Sequence, residues 1–264
     1  MEFTKDFCKK DIFDLWQSTF GDSKEYIEYV YNVFEKHGRF YGLSNGKTLV
    51  SMMLVLDLPL NFFGKTQKSA YMYACATQEK YKGKGYFSAL YKMAKDDLSK
   101  DGYENIYCVP ESEKLFGMYN KLGLDKCLYR SETKVNFDNK EPETYFEQSD
   151  DFDKAYDLYC KGCDKLDGFC QKSKDIFECA IQSADAKFYF FDGGYFCYDQ
   201  TAVNEFLCFD KDAEKRVLCD IARFLKKDIT VFSKPYNNMC KYVALEKLRE
   251  SDFCDGAYAN MLFD

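Results

Sequence analysis

The sequence predicts an α/β (α+β) chain folded as two similar units, and three observations predict it. The order of apolar periodicities (two helices, a hairpin, a strand, a helix, a strand) occurs twice along the chain. Between the two runs lies Asp138–Thr144, a polar, proline-containing segment with no apolar period, which reads as a linker. The chain has 264 residues, 46% of them hydrophobic and 18% aromatic, enough apolar material for one large or two small packed domains and too much for a disordered chain. The expected division is therefore residues 1–137, a linker at 138–144, and residues 145–264.

The first run opens with a helix whose inner face is Ile12, Leu15, Trp16 and Phe20, stopped by Gly21. Ser23 caps a second helix with Ile27, Val30, Tyr31 and Phe34 inside. Arg39–Leu43 and Thr48–Leu58 alternate as strands, joined through Asn45-Gly46, a dipeptide that tolerates the positive φ of a tight hairpin turn. Ser69–Ala76 is a further strand, and Phe87, Leu90, Tyr91, Ala94 and Leu98 mark the buried face of the helix after it. A short strand at Asn105–Val109 ends at Pro110; a helix at Glu113–Leu122 ends at Gly123; Lys126–Phe137 is extended. In the second run the helices carry Phe152, Ala155, Tyr156 and Tyr159, then Ile176, Phe177, Ala180 and Ile181. A hairpin, Lys187–Phe191 and Tyr195–Tyr198, turns at Asp192-Gly193-Gly194. A strand at Ala202–Phe209, a helix with Val217, Ile221, Phe224 and Leu225 inside, and a strand at Asp228–Ser233 complete the repeat.

A net charge of -7 and a pI near 5.0 argue against a nucleic-acid surface, which needs a basic patch. No apolar run approaches the roughly 20 residues of a membrane span, and Glu2, Lys5 and Asp6 do not suit a signal peptide. A soluble, cytoplasmic protein without membrane or nucleic-acid partners is the expectation. The 13 cysteines, an odd number, then read as reduced thiols. Cys160 and Cys163 are the one close pair, and His37 is the chain's single histidine, so no zinc ligand set is expected. Most thiols alternate with Phe and Tyr, as small core hydrophobes do.

The informative stretch is Ser69–Leu90: a strand that ends, a loop with glycines at 83 and 85, and the first turn of an amphipathic helix. First-turn amides have no intrahelical acceptor, and the helix dipole adds about half a positive charge there. Gly83 and Gly85 keep side chains away from those amides, and Lys80, Lys82 and Lys84 concentrate positive charge in an acidic protein. Together these features make a pyrophosphate cradle; a glycine-containing surface turn with solvated lysines is the alternative reading. The nucleotide P-loop and the dinucleotide fingerprint both fail, because Gly85 is followed by Tyr86-Phe87 and position 88 is Ser88.

Lys80-x-x-Gly83-x-Gly85 after this strand resembles motif A of the GNAT superfamily of N-acetyltransferases, with Lys in place of Gln/Arg at the first position. Downstream, Leu115-Phe-Gly-Met-Tyr119-Asn-Lys-Leu-Gly123-Leu resembles that family's second signature, at the usual order and separation. The likeness covers about residues 1–137. Trp16…Phe20-Gly-Asp-Ser and a second half of matching element order resemble the tandem arrangement of Eis-like (enhanced intracellular survival) acetyltransferases. The resemblance implies tandem GNAT-like domains, each a mixed, mostly antiparallel sheet flanked by helices.

It also implies acetyl-CoA as donor, no metal, and direct transfer to an amine of a small-molecule or peptide acceptor. Ala76, Thr77, Lys80, Lys82, Gly83, Lys84, Gly85, Tyr86 and Phe87 would hold the cofactor, the amides from Lys82 to Phe87 taking the pyrophosphate. The edge of Tyr73–Thr77 would pair with the pantetheine amides. Tyr119 would protonate the departing thiolate as general acid; on the residues alone, packing is the other reading of this tyrosine. Glu79, Glu111 or a water chain stay open as the base. At the matching junction of the second half, Asp210-Lys-Asp212 replaces the glycines with carboxylates that repel a pyrophosphate, so one CoA site per chain is expected. A non-catalytic acyl-CoA-binding module is the alternative function.

Overall fold

A computed structural model describes residues 1–234, 239–254 and 257–259. The first run of elements is β1 (Glu2–Thr4), α1 (Lys9–Phe20), α2 (Lys24–His37), β2 (Gly38–Asn45), β3 (Thr48–Asp57), β4 (Leu60–Phe62), β5 (Lys65–Gln67), β6 (Ser69–Thr77), α3 (Tyr86–Lys100), β7 (Asn105–Cys108) and α4 (Glu113–Leu122). There follow β8 (Lys126–Val135), β9 (Glu147–Ser149), α5 (Phe152–Cys163), β10 (Gly168–Cys170), α6 (Lys174–Ser183), β11 (Lys187–Phe191), β12 (Gly194–Tyr198), β13 (Val203–Cys208), α7 (Glu214–Leu225), β14 (Ile229–Ser233) and β15 (Met239–Lys247). No helix among the described residues is long and apolar enough to cross a membrane.

The chain divides into two compact units. The first is Met1–Asn61, Lys65–Lys126 and Val243–Asp252; the second is Phe62–Gly64, Cys127–Tyr242 and the described residues after Asp252. The break falls at Lys126, ahead of the polar 138–144 segment. β8 runs antiparallel to β14, with Val135 opposite Ile229 and Ser131 opposite Ser233, so its ladder belongs to the second unit. The 138–144 segment is tied to α7: Arg223 Nη2 bonds Asp138 Oδ2 at 2.6 Å, and Thr144 Oγ1 donates to the buried Asp220 at 2.7 Å. β1, β4, β5, β9, β10 and β15 extend the element list that periodicity gives, because three-residue strands and strands paired far along the chain carry little period of their own.

In the first unit the strands lie in the order β1-β2-β3-β6-β7-β15. All neighbours are antiparallel except β6 and β7, which run parallel. Asn45 pairs with Thr48, so the β2–β3 turn is Gly46-Lys47, one residue beyond the expected dipeptide, and Gly46 supplies its positive φ of 61°. The helix signals act as the sequence predicts: Gly21 ends α1 in the left-handed region, and Ser23 Oγ accepts from Tyr26 N at 3.1 Å. One sheet face (Tyr41, Leu43, Met53, Val55, Ala70, Met72 and Ile106) packs against Leu90, Tyr91, Ala94 and Leu98 of α3 and Tyr119 of α4. Each fully buried leucine there contributes about 2 kcal/mol. The other face meets α1 and α2, where Trp16 and Phe34 pack on the Tyr73 ring at 5.5 Å each.

The second unit has the strand order β8-β14-β13-β12-β11-β9, with β13 and β14 parallel. Alternation along its strands divides the core. Phe196, Val203 and Phe206 pack against Val217, Ile221 and Ala222 of α7. Tyr195, Cys197 and Leu207 pack against Ala155, Tyr159, Phe177 and Ile181 of α5 and α6. Like the first unit, it places helices on both faces of a mixed, mostly antiparallel sheet.

The position of α4 rests on Gly123, which closes the helix at φ 117°; a Cβ there would stand 2.6 Å from Glu246 Oε1. That carboxylate accepts hydrogen bonds from Tyr91 and Lys95 of α3, so β15, α3 and the end of α4 meet around one charge. Gly123→Ala is expected to destabilise the protein by about 2 kcal/mol, from the left-handed backbone and the collision together. A lowered urea midpoint with unchanged slope checks it.

Candidate donor-binding and transfer site

The site begins where two parallel strands part. β6 pairs with β7 only over Ser69↔Asn105, Ala70↔Ile106 and Tyr71↔Tyr107, and then continues through Met72–Thr77 without that neighbour. On its other edge β6 stays bound to β3 but with a bulge: Met52 faces Ala76, Leu54 faces Tyr73, and Met53 therefore opposes both Ala74 and Cys75. Ala74 takes up the extra residue with a φ of 46°. The strand end is held to β3 by Ser51 Oγ, which donates to Ala76 O at 3.0 Å and lies 2.9 Å from Thr77 Oγ1. Gln78 continues this attachment through its amide to Val50 O (2.9 Å) and its side chain to Leu49 O (2.6 Å).

After Gln78 comes a single 3₁₀ turn, Glu79–Tyr81, then Lys82-Gly83-Lys84-Gly85 and α3. Gly83 and Gly85 have φ of 72° and 79°, and the space around both is open, so they serve the turn and leave the face of the loop clear. No side chain caps α3, whose N-cap is Gly85 itself. The first-turn amides of Tyr86, Phe87 and Ser88 thus point outward with the helix dipole behind them. All three lysines are exposed, but they are not equivalent. Lys82 Nζ is 2.7 Å from Glu79, Lys84 Nζ donates to Lys80 O at 2.9 Å, and Lys80 and Lys84 both lie over the Tyr81 ring.

Tyr119 on α4 is 7% exposed, and its ring lies T-shaped to that of Phe87 with centroids 6.2 Å apart, which brings the second signature against the first turn of α3. Its neighbours in this core include two thiols, Cys75 of β6, whose Sγ donates to Tyr73 O at 3.9 Å, and Cys108 at the end of β7. Burial pushes the phenol well above its ordinary value of 10.0, with the thiols as smaller contributors, and burial pushes Cys75 up to about 12. The other buried tyrosines of this core are committed elsewhere. Tyr41 donates to Asp97, Tyr91 to Glu246 and Tyr103 to Asp57; Tyr119 alone among the four faces no carboxylate. Glu79 and Glu111 are both exposed, and Glu79 is occupied by Lys82.

Cys75, Cys108 and Glu246 escape the sequence reading. The thiols look like core filler, and Glu246 lies 155 residues from Tyr91 along the chain. One signal for Cys75 exists: the large alternating residues Tyr71-Met72-Tyr73 give way to Ala74-Cys75-Ala76 where the bulge falls. Among the described residues no group of three His, Cys, Asp or Glu is placed to hold a metal.

The matching junction of the second unit is built differently. β13 and β14 pair at Val203↔Val231 and Phe206↔Ser233, with a register shift between the two. Asp210 Oδ1 accepts from Asp212 N at 2.9 Å and Ala213 N at 3.2 Å, so the amides ahead of α7 are already taken by a carboxylate of the chain.

The family model of the GNAT acetyltransferase domain matches residues 4–127. That segment carries the strand, cradle, α3 and α4 described above and is a GNAT acetyltransferase domain. Among solved structures, a probable N-acyltransferase from Enterococcus faecalis V583 superposes with a TM-score of 0.75 at 16% identity, over 94% of this chain and 72% of that one. A GCN5-related N-acetyltransferase from Anabaena variabilis gives 0.72 at 14%, over 94% and 73%. Eis1 from Mycobacterium abscessus gives 0.66 at 9%, over 94% and 74%. These likenesses extend the fold over both units. No curated protein matches.

Asp210→Ala removes the carboxylate that holds the Asp212 and Ala213 amides in the turn ahead of α7, and loss of about 1 kcal/mol of stability is expected, read as a lower thermal or urea midpoint.

Proposed function

We propose that the first unit transfers an acetyl group from acetyl-CoA to an amine, with Tyr119 as general acid. The observation that carries this reading is the hydroxyl of Tyr119: buried, still protonated at neutral pH, uncommitted to any carboxylate, and set against residues from both strands that part. Ala76, Thr77 and the loop from Lys80 to Phe87 receive the donor. The edge of β6 beyond Tyr71 pairs with the pantetheine amides as an added strand would. The amides around Gly83–Phe87, with Lys80 and Lys84 beside them, take the pyrophosphate.

In the transfer, the amine nitrogen attacks the acetyl carbonyl carbon and the carbon–sulfur bond then breaks. The electron pair leaves with sulfur, which receives the phenol proton, while the attacking nitrogen releases its extra proton to solvent, and solvent returns one to Tyr119. A phenol raised above 10 is a weak acid in water, but the departing thiolate is not in water. The burial that pushes the Cys75 thiol up to about 12 raises the proton affinity of a sulfur leaving beside it. The second unit, with Asp210 on the Asp212 and Ala213 amides ahead of α7, binds no CoA and completes a tandem arrangement with one donor site per chain.

Tyr119→Phe is expected to lower kcat by about 10²- to 10⁴-fold while leaving acetyl-CoA affinity nearly unchanged. A variant that turns over like wild type excludes the role. Acetyl-CoA at about 100 times its Kd stabilises the native protein by about 2.7 kcal/mol, so it raises Tm. The pH dependence has a definite sign. A general acid works while protonated, and the folded state holds Tyr119 above 10; the rate therefore rises as the amine loses its proton and does not fall again below about pH 10.

A further inference from the structure

We infer that Cys75 and Cys108 are positioning residues for Tyr119, holding its hydroxyl at the opening between β6 and β7 without capturing its proton. This rests on the reading of Tyr119 given above.

The bulge is what places Cys75 there. On an unbroken strand the residues sharing a face with Ala70 and Met72 would be 74 and 76. The extra residue at Ala74 shifts the alternation, so that Cys75 joins Ala70 and Met72 on the α3–α4 face opposite Met53. Cys108 reaches the same point from β7, as the last residue of that strand and two positions beyond Ile106 on that face. The two thiols thus come from the two arms that separate, and α4 brings Tyr119 against both. From α3 the uncharged Phe87 ring lies T-shaped to that of Tyr119. The charged pair Glu246 with Lys95 is engaged by Tyr91.

Thiols suit this place for a chemical reason. A phenol whose proton must pass to a departing sulfur needs neighbours that fix its direction and give it up. Carboxylates bind the phenol proton strongly, as Asp97, Glu246 and Asp57 do for the other three buried tyrosines. A serine hydroxyl accepts that proton less strongly but still competes with the sulfur. Thiols are weak donors and weak acceptors, so they fill the volume and orient the hydroxyl with little competition.

The test uses the full chain labelled with ¹³Cζ-tyrosine, the Tyr119 signal being assigned by its loss in Tyr119→Phe. In wild type it stays in the phenol form to about pH 10. In the double variant Cys75→Ser/Cys108→Ser, hydroxyls that donate well to a phenolate stabilise the charged form, and the Tyr119 midpoint falls by about one pH unit. With an amine that wild type acetylates, the same variant loses about tenfold in kcat with KM for acetyl-CoA held, and its profile acquires an alkaline fall. Cys75→Ala and Cys108→Ala, measured singly, lower kcat without that fall and serve if the double variant does not fold. An unmoved Tyr119 titration and unchanged kcat in the variants, with Tyr119→Phe inactive, overturn the inference and leave the general-acid reading standing. An active Tyr119→Phe overturns the reading itself.

Discussion

The first unit depends on the early end of one parallel ladder. β6 and β7 hold together for three residue pairs and then part after Tyr71↔Tyr107, while β6 stays fixed to β3 through Ser51 and Gln78. The parallel pairing of β6 ends at Tyr71, so the edge of Met72–Thr77 turned away from β3 is not paired to β7. The bulge at Ala74 accompanies the parting and reverses which side chains look toward α4. An extended ligand edge, the uncapped start of α3 and the hydroxyl of Tyr119 all lie within one stretch of chain and the helix packed on it. The donor site we propose is this discontinuity furnished with suitable residues.

The second unit keeps the layers but furnishes the junction differently. Its helices cover both faces of the sheet with the same division of alternating side chains. Its parallel pair shifts register between Val203 and Phe206, and Asp210 takes the Asp212 and Ala213 amides ahead of α7, where the loop before α3 carries Gly85. Packing needs only apolar residues of about the right size at the right period, whereas an anion site needs particular glycines and the absence of acid. A repeated order of elements therefore does not imply a repeated site.

Most of the fold was legible in the sequence because its helices and longer strands carry strong periods and explicit stops, such as Gly21, Ser23 and Gly123. The glycine loop ahead of α3 was legible for the same reason: Gly83 and Gly85 are local, and their positive φ follows from residue type. What stayed hidden was non-local. The unit boundary at Lys126 depends on β8 pairing with β14, about a hundred residues away. Glu246 reaches Tyr91 and Lys95 from β15, and no period links them. The thiols of Cys75 and Cys108 read as filler because a bulge, invisible in composition, decides which face Cys75 takes. Lys82, read as one of three equivalent cations, is paired by Glu79 three residues before it, a partner that spacing alone does not select.

Amide hydrogen exchange resolved along the chain, with and without acetyl-CoA, tests the central claim most directly. The account predicts slowed exchange confined to Met72–Thr77 and Gly83–Ser88 of the first unit, where the open strand edge and the uncapped helix start would meet the donor. It predicts no change at Asp212–Val217, where Asp210 already holds the Asp212 and Ala213 amides and sets a carboxylate ahead of the helix. Protection at the second junction, or none at the first under saturating acetyl-CoA, would contradict it.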